Sequence, residues 1–334
     1  MRYDLFGVRL ESDRPIAGLL EVADATRADI LIRVAEWPLE QVAHDDFAAA
    51  PFYRSPVMDP QARPFVEAWH LAEGRFVRLR MSDGASFTLA RAGDEIWIAP
   101  GAFESPLVAQ YLVGPVLAFA LRCRGVVALH ASAVALNGEA VAFVGAEGAG
   151  KSSLAACLAL RNHEVITDDV AALLEREDGT YVQPGAPYLR MRPGVIERVA
   201  EQMGRRAALT PSPDGEHLDF MGAWPHGEVR APRRLAAVYL LDWTPPPADI
   251  VVIEPLEGVV ALMTLAADTW AGRLGDAASR AAELDLLARL VHRVPMRRVK
   301  PCRRQDVSDL ADRITADLAI PAGRAPARPD LPRA

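Results

Sequence analysis

The alternation of apolar and polar positions predicts a β-rich first third of the chain. Five stretches have strand character: residues 3–10, 30–34, 75–81, 86–91 and 95–99. The last three are separated by Ser82-Asp-Gly-Ala and Ala92-Gly-Asp, whose glycines and aspartates favour tight turns. We therefore expect these three runs to form an antiparallel meander. Residues 36–63 contain proline and polar side chains and are expected to be mostly loop.

Beyond residue 100 the pattern changes to a mixture of strand and helix periods, which predicts a mixed α/β architecture. Residues 107–123, 152–160, 195–204, 258–270, 276–294 and 306–318 have helical spacing, whereas residues 125–129, 140–144, 163–167, 235–241, 250–253 and 296–300 resemble buried strands. Asn137-Gly138 and Asp178-Gly179 predict two hairpins. The stripe Ala281, Leu284, Leu287 and Leu290 predicts a core face on one helix.

Residues 145–152 fit the phosphate-loop pattern G-x-x-x-x-G-K-[ST] between a predicted strand and a predicted helix. The chain has only two lysines, and Lys151 stands at the lysine position of this pattern. We expect Lys151 to contact the β- and γ-phosphates of ATP and Ser152 to contact Mg²⁺. The residues predicted to surround the nucleotide are Gly145, Ala146, Glu147, Gly148, Ala149, Gly150, Lys151, Ser152 and Ser153.

An acid pair, Asp168-Asp169, follows the β-type run at residues 163–167. In phosphoryl transfer one carboxylate can hold Mg²⁺ while another accepts the proton of the attacking hydroxyl. Two neighbouring acids are also common in solvated turns, so the residues alone leave both interpretations open. His130 could orient an acid, or its ring could be satisfied by the backbone at a strand end.

The order of LHAS at 129–132, the Asn137-Gly138 turn, GxxxxGKS and TDD at 167–169 resembles the bacterial HPr kinase/phosphorylase family. The resemblance covers roughly residues 129–170 and weakens towards residue 310. It implies a fold of the HPr kinase and phosphoenolpyruvate carboxykinase type, with Asp169 as the general base, Asp168 as a metal ligand or positioning acid and His130 as a catalytic partner. The sequence leaves open which aspartate takes which role.

Two departures from the family pattern bear on the substrate. Ser153 stands where the family usually has Glu, and no glycine-rich E-x-R-G-x-G signature follows. In these respects the chain resembles variant kinases of ribosomal-peptide clusters, including lasso-peptide kinases that phosphorylate a peptide serine. Arg190 and Arg192 alternate and would share one strand face, where they could hold an acidic peptide or balance phosphate charge. Residues 211–224 are expected to form an irregular lid.

Composition narrows the class of protein. The net charge of −7 argues against a nucleic-acid-binding protein, and the longest apolar run, residues 106–123, is too interrupted for a membrane span. Cys123, Cys157 and Cys302 match no disulfide or metal pattern, which is typical of a cytoplasmic protein. We predict a β-rich domain at residues 1–104, a catalytic P-loop domain at 105–319 and a disordered tail at 320–334.

The sequence therefore predicts an ATP- and Mg²⁺-dependent kinase that acts on a serine of a small protein or peptide. The family resemblance also allows a homo-oligomer. Two alternatives stay open at this point: a protein that binds ATP or ADP as a sensor or scaffold without transferring phosphate, and a kinase for a small metabolite.

Overall fold

The computed structural model describes most of the chain. The described residues are 1–23, 26–36, 50–186, 188–191, 194–202, 209–211, 218–220, 231–242, 251–270, 272–300 and 306–319. Arg192, Cys302, the predicted tail at 320–334 and most of the predicted lid at 211–224 lie outside them. None of the described helices is long and apolar enough to cross a bilayer.

The first sheet contains eight strands within the described residues. They are β1 (Arg2–Leu5), β2 (Val8–Ser12), β3 (Ile30–Val34), β4 (Tyr53–Arg54), β5 (Val66–Leu71), β6 (Phe76–Met81), β7 (Ser86–Ala90) and β8 (Glu95–Ile98). Their spatial order is β1-β2-β3-β8-β7-β6-β5-β4, and β3 is parallel to both neighbours. The predicted meander is confirmed, because β6, β7 and β8 pair antiparallel in sequence order.

The prediction of one strand over residues 3–10 is wrong, because this stretch is the β1-β2 hairpin. Phe6 and Gly7 form its turn with φ angles of 56° and 77°. Left-handed backbone at both positions reverses the chain with the twist of the flanking strands. A side chain at Gly7 would also collide with the Gln183 side chain, 2.5 Å from an added Cβ. Gly7 therefore serves both the turn and a close contact.

A kinked helical segment follows the first sheet: α1 (Pro100–Phe103), α2 (Val108–Tyr111), a π-helical turn (Leu112–Val116) and α3 (Leu117–Cys123). The pattern predicted a helix over residues 107–123. The interruption falls at Gly114 and Pro115, where Gly114 leaves the helical region with φ −88° and ψ −107°. Proline lacks a backbone N–H and its ring clashes with the carbonyl four residues earlier, so a regular helix cannot continue through it. We call residues 108–123 the linking helix.

The second half of the chain alternates strands and helices. Its elements are β9 (Ala128–Leu129), β10 (Ser132–Leu136), β11 (Glu139–Val144), α4 (Lys151–Leu160), β12 (Val165–Thr167), β13 (Ala171–Arg176), β14 (Gly179–Val182), β15 (Leu189–Met191), α5 (Val195–Gln202), β16 (Leu209–Pro211), β17 (Leu218–Phe220), β18 (Arg233–Leu241), β19 (Val252–Pro255), α6 (Gly258–Ala267), a 3-10 turn (Gly272–Leu274), α7 (Ala277–Arg293), β20 (Met296–Lys300) and α8 (Val307–Leu318). Together with the first sheet they give a mixed α/β protein.

The second sheet brings the sequence motifs to one edge. Its strand order is β12-β10-β11-β18-β14-β13-β9, with β20 beside β18 and β19 beside β20. β10 is antiparallel to both β11 and β12, so β11 and β12 run in the same direction. The residues after β11, the residues after β12 and the start of β10 therefore meet at the same edge.

Hairpin predictions are confirmed with one shift in position. Asn137 and Gly138 connect β10 to β11 with φ angles of 53° and 84°. The β13-β14 hairpin also exists, but Arg176 pairs with Gly179, so Glu177 and Asp178 occupy the turn instead of Asp178 and Gly179.

The predicted irregular region beginning at residue 211 is wrong in part, because β15, β16 and β17 form a small antiparallel sheet.

Helices cover both faces of the second sheet. The side chains of α4 and α8 share one apolar core with β10, β11 and β18, whereas α6 and α7 share another with the opposite face. The predicted core stripe of α7 is only half right. Leu287 and Leu290 are fully buried, but Ala281 and Leu284 are exposed because the helix turns Glu283 inward in their place. β19, expected to be buried, is half exposed.

Candidate active site

The loop at residues 145–150 joins β11 to α4 and needs glycine at its first position. Gly145 has a φ of 143°, and an added Cβ would lie 2.7 Å from the carbonyl oxygen of Leu241 at the end of β18. Gly150 has a φ of 93° and precedes α4 without a capping side chain among the described residues. The first amides of α4 thus keep free donor capacity, which favours an anion at the helix start.

Lys151 lies against the beginning of this loop. Its Nζ donates to the carbonyl oxygens of Gly145 at 2.7 Å and Ala146 at 3.3 Å, and the residue is only 7% exposed. Burial lowers the pKa of Lys151, while Asp268, Asp169, Asp168 and Glu147 act in the opposite direction. A buried ammonium of this kind gains electrostatically from a bound anion.

Asp168 connects the loop to the acid pair. Its Oδ1 accepts hydrogen bonds from the hydroxyls of Ser132 and Ser152, the latter at 3.0 Å. Although Asp168 keeps a partly accessible surface, desolvation raises its pKa to about 6, with Asp169 adding to the effect and the two hydroxyls opposing it. The position at the end of β12, beside the start of β10, produces this contact.

Asp169 is held by its side chain and by its backbone. Its Oδ1 lies 3.2 Å from His130 Nε2, and its carbonyl oxygen accepts a hydrogen bond from Trp270 Nε1 at 2.6 Å. Asp169 has a φ of 69°, in the left-handed region that aspartate tolerates better than most residues. Its other carboxylate oxygen, Oδ2, faces Gly114 of the linking helix, where an added Cβ would lie 3.4 Å away.

A third acid and an aromatic ring reach the site from residues 268–270, after α6. The backbone N–H of His130 donates to the carbonyl of Asp268 at 2.6 Å, and the Trp270 ring lies 5.0 Å from the His130 ring. Burial raises the pKa of Asp268, and the charges of Lys151 and His130 partly offset this rise. Sequence patterns missed both residues, because their partners lie more than a hundred positions away in the chain.

A buried ion pair supports the 268–270 segment. Thr269 Oγ1 donates to Glu283 Oε1 at 3.0 Å, and the second carboxylate oxygen of Glu283 pairs with Arg122 of α3. Arg122 and Glu283 are 7% and 5% exposed. Thr269 also forms a β-bridge with Leu129, the residue before His130. The linking helix and α7 therefore fix the backbone that carries Asp268 and Trp270.

A cavity of about 180 Å³ opens beside the acid pair, and we call it the acceptor pocket. It is lined by Gln110, Val113, Gly114, Ser152, Asp168, Asp169, Val170, Ala186, Tyr188 and Arg190. The guanidinium of Arg190 lies 4.7 Å from the centre of the Tyr188 ring. A larger groove of about 730 Å³ between α6, α7 and β20 contains none of the residues predicted for the site.

The structure brings most of the predicted residues together. Ser152 contacts Asp168, Asp169 contacts His130, and the charges of both aspartates act on Lys151. Ala146, Glu147 and Gly148 lie on the exposed side of the loop, Ala149 is buried, and Ser153 is half-buried in α4. Arg190 lines the acceptor pocket, whereas Arg192 lies outside the described residues.

Ser152 and Asp168 offer oxygen ligands for a divalent cation. Within the described residues, no group of three His, Cys, Asp or Glu side chains converges on one point. Mg²⁺ at a nucleotide site does not need such a cage, since phosphates and waters complete its octahedron around one or two protein oxygens. Ser152 Oγ and Asp168 Oδ1, 3.0 Å apart, supply a set of this size.

Comparisons with known proteins add little to this geometry. No protein-family model and no curated protein matches the chain. Among solved structures it is similar to the HPr(Ser) kinase/phosphatase from Coxiella burnetii, with 13% sequence identity, a TM-score of 0.30, and coverage of 57% of this chain and 91% of that one. At this TM-score the likeness assigns no function, which has to come from the residues of the site.

Proposed function

We propose that the chain is an ATP- and Mg²⁺-dependent kinase that transfers the γ-phosphoryl group to a serine hydroxyl of a small protein or peptide. One observation carries the proposal: Ser152, which closes the glycine-rich loop, donates to Asp168 of the acid pair at 3.0 Å. A phosphate-binding pattern and a candidate base thus belong to one site. The motif resemblance to HPr kinases supports the same reaction class.

The nucleotide would bind through the loop and the start of α4. The glycines at 145, 148 and 150 all have positive φ, which lets successive backbone N–H groups turn towards one anion. Lys151 would exchange its two carbonyl partners for the β- and γ-phosphates. The binding free energy gained in this exchange is electrostatic, because without the phosphates Lys151 is a largely buried cation.

Ser152 and Asp168 would hold Mg²⁺ together with the phosphates. The chemistry that the ion supplies is neutralisation of charge on the β- and γ-phosphoryl oxygens. The hydroxyls of Ser132 and Ser152 favour the ionised form of Asp168, which is the form needed for this role. Ser132 thereby orients a carboxylate that burial would otherwise tend to neutralise.

Asp169 would act as the general base. His130 and Trp270 fix its Oδ1 and its backbone, and Oδ2 is directed to the acceptor pocket. In the transfer step the serine O–H proton passes to Asp169, the serine oxygen forms a bond to the γ-phosphorus, and the bond from that phosphorus to the β-γ bridging oxygen breaks, releasing ADP. Lys151 stabilises the charge that develops on the leaving diphosphate.

Two substitutions separate binding from chemistry. We expect Lys151→Ala to weaken binding of a fluorescent ATP analogue at least about tenfold and to abolish transfer, because it removes the phosphate cation. Asp169→Asn should bind nucleotide normally and transfer about 10²- to 10⁴-fold more slowly, because asparagine keeps the left-handed backbone and loses the base. Mass spectrometry of serine-containing peptides after incubation with Mg-ATP measures transfer.

Lys300→Ala is the matched control for the lysine, since it is the other lysine of the chain and pairs with Glu254 on β19. It should leave both measurements unchanged. Turnover by Asp169→Asn within a few-fold of the unmodified protein would contradict the assignment of the base. Tight nucleotide binding without any phosphorylated product would favour the sensor alternative.

A further inference from the structure

The acceptor pocket has a wall that comes from the linking helix. Tyr111 anchors α2 in the core of the first sheet through edge contacts with Phe65 and Phe87, at centroid distances of 6.0 and 6.4 Å. Gln110 and Gly114, four positions apart, line the pocket from the neighbouring face. The linking helix, which is anchored in the first sheet, thus contributes directly to the space in front of Asp169.

The missing side chain at Gly114 leaves Asp169 Oδ2 open to an approaching alcohol. An added Cβ would lie 3.4 Å from Asp169 Oδ2, and outside the adjoining backbone it would meet no other described heavy atom within 4 Å. The carbon of an alcohol that donates to a carboxylate lies about 3.5 Å from the accepting oxygen, as follows from an O–H···O distance of about 2.7 Å and a C–O bond. A methyl group at residue 114 would therefore crowd the space that the acceptor's own carbon needs beside Oδ2.

Gln110 also lines this pocket. Its Oε1 is buried and finds no hydrogen-bond donor among the described residues. Buried side-chain oxygens are normally paired, so this one calls for a donor that arrives with a ligand. The pocket volume of about 180 Å³ equals the liquid share of about six waters, at about 30 Å³ each, which gives room for one short side chain with its backbone amide.

We propose that Gly114 and Gln110 select the acceptor: the missing side chain at residue 114 keeps the approach to Asp169 Oδ2 open for the hydroxyl and its carbon, and the Gln110 amide turns into the pocket and accepts a hydrogen bond from an N–H beside that hydroxyl. The substrate class is then a hydroxyl carried by a peptide residue, since its backbone amide supplies that N–H. The inference rests on the proposed kinase function and gives the linking helix the role of positioning the acceptor.

The first test adds a methyl group at residue 114. Gly114→Ala should lower transfer to a degenerate pool of peptides with a fixed central serine by about tenfold or more, because the methyl group competes with the acceptor carbon. Affinity for the ATP analogue should stay unchanged, because the glycine-rich loop and the start of α4 do not include residue 114. Gly101→Ala is the matched control: Gly101 lies in α1, and an added Cβ there meets no described atom within 4 Å.

The second test removes the side-chain oxygen of Gln110 that would accept the hydrogen bond. Gln110→Leu should raise the peptide KM about tenfold with the KM for ATP unchanged, whereas Gln110→Glu, which keeps an oxygen at this place, should retain most of the peptide affinity. Equal transfer by the Gly114→Ala and Gln110→Leu variants and the unmodified protein would overturn the inference while leaving the kinase proposal intact. A loss of affinity for the ATP analogue by Gly114→Ala that matches the fall in transfer would also overturn it.

The choice of acceptor pool separates the remaining outcomes. The unmodified protein should phosphorylate the peptide pool and not a pool of sugars and polyols. Preference for sugars and polyols would overturn the peptide class. Nucleotide binding with no transfer to either pool would overturn the proposed function, and the acceptor assignment with it.

Discussion

Asp168 shows at the scale of a single residue how a functional group conflicts with stability. Desolvation raises its pKa to about 6 from the ordinary 3.8, although two serine hydroxyls favour the charged form. Because the folded pKa is the higher one, the protonated carboxyl stabilises the fold below about pH 4. That contribution is lost as the pH rises through about 6. At neutral pH the fold therefore carries a costly carboxylate, which the proposed Mg²⁺ and Lys151 would compensate.

Asp168→Asn should therefore stabilise the metal-free protein at pH 8 by up to about 3 kcal/mol, since each unit of pKa difference corresponds to about 1.4 kcal/mol. The amide can still accept from Ser132 and Ser152 and carries no charge. The gain should disappear at pH 4. Urea unfolding in EDTA at pH 8 and pH 4 measures this gain in unfolding free energy. An equal gain at the two pH values would show that the titration of Asp168 does not cause it.

His130 gives a second prediction at this scale. Its Nε2 holds Asp169 Oδ1 at 3.2 Å, so His130→Ala should slow transfer by about tenfold or more through a misoriented base. Nucleotide affinity should not change, because the ring makes no contact with the glycine-rich loop among the described hydrogen bonds and ion pairs. His292→Ala, an exposed histidine on α7, is the control. Weaker ATP binding by His130→Ala would place the ring in the nucleotide site instead.

At the scale of elements, the pair between Arg122 of α3 and Glu283 of α7 holds the segment that carries Trp270 to Asp169. Burial lowers the pKa of Arg122, and its Nε and one terminal nitrogen lack partners among the described residues. Such a pair is a poor source of stability compared with apolar side chains of similar volume. Its value here lies in fixing Thr269 through Glu283.

Variants of the Arg122–Glu283 pair should show that its effect on stability differs from its effect on activity. Glu283→Ala should cost about 3 kcal/mol of unfolding free energy, because it strands a buried guanidinium. The double variant Arg122→Met/Glu283→Leu should regain most of that loss but not the transfer rate, since Thr269 remains unsupported. Urea unfolding and peptide phosphorylation test the two parts. Full activity in the double variant would show that the segment does not need Glu283.

Local patterns predicted the elements whose causes are local. The β6-β8 meander and the Asn137-Gly138 hairpin follow from turn residues beside alternating strands. The β1-β2 turn was missed because Phe6 is not a usual turn residue, and the inward position of Glu283 depends on Arg122, 161 positions away. The acid pair and the loop were visible as motifs, whereas Asp268, Trp270, Gln110 and Gly114 reach the site only through tertiary packing.

At the scale of the whole molecule, the first sheet and the second half of the chain share one apolar core. Ala128, Val170, Ala186 and Tyr188 belong to the same buried cluster as the inner residues of the first sheet. The backbone N–H of Phe6 also donates to the carbonyl of Pro184 at 2.7 Å. A sequence boundary at residue 104 therefore does not coincide with a break in packing.

We accordingly expect the chain to unfold in one cooperative transition. A fragment of residues 105–319 should melt well below the full-length chain, because it exposes the shared cluster to water. Calorimetry of the two proteins, with circular dichroism as a second probe, makes the comparison. Two separate transitions in the full-length chain, with the later one matching the fragment, would contradict the shared core.

The burial of Lys151 in a chain with so few amines has a practical consequence. Lys300 is 31% exposed and pairs with Glu254, so these two side chains differ sharply in access. An acyl-phosphate derivative of ATP, which acylates a lysine only when docked beside it, should label Lys151 and leave Lys300 largely unmodified. A single tryptic peptide would then report occupancy by the nucleotide directly in a cell extract, before any acceptor has been found.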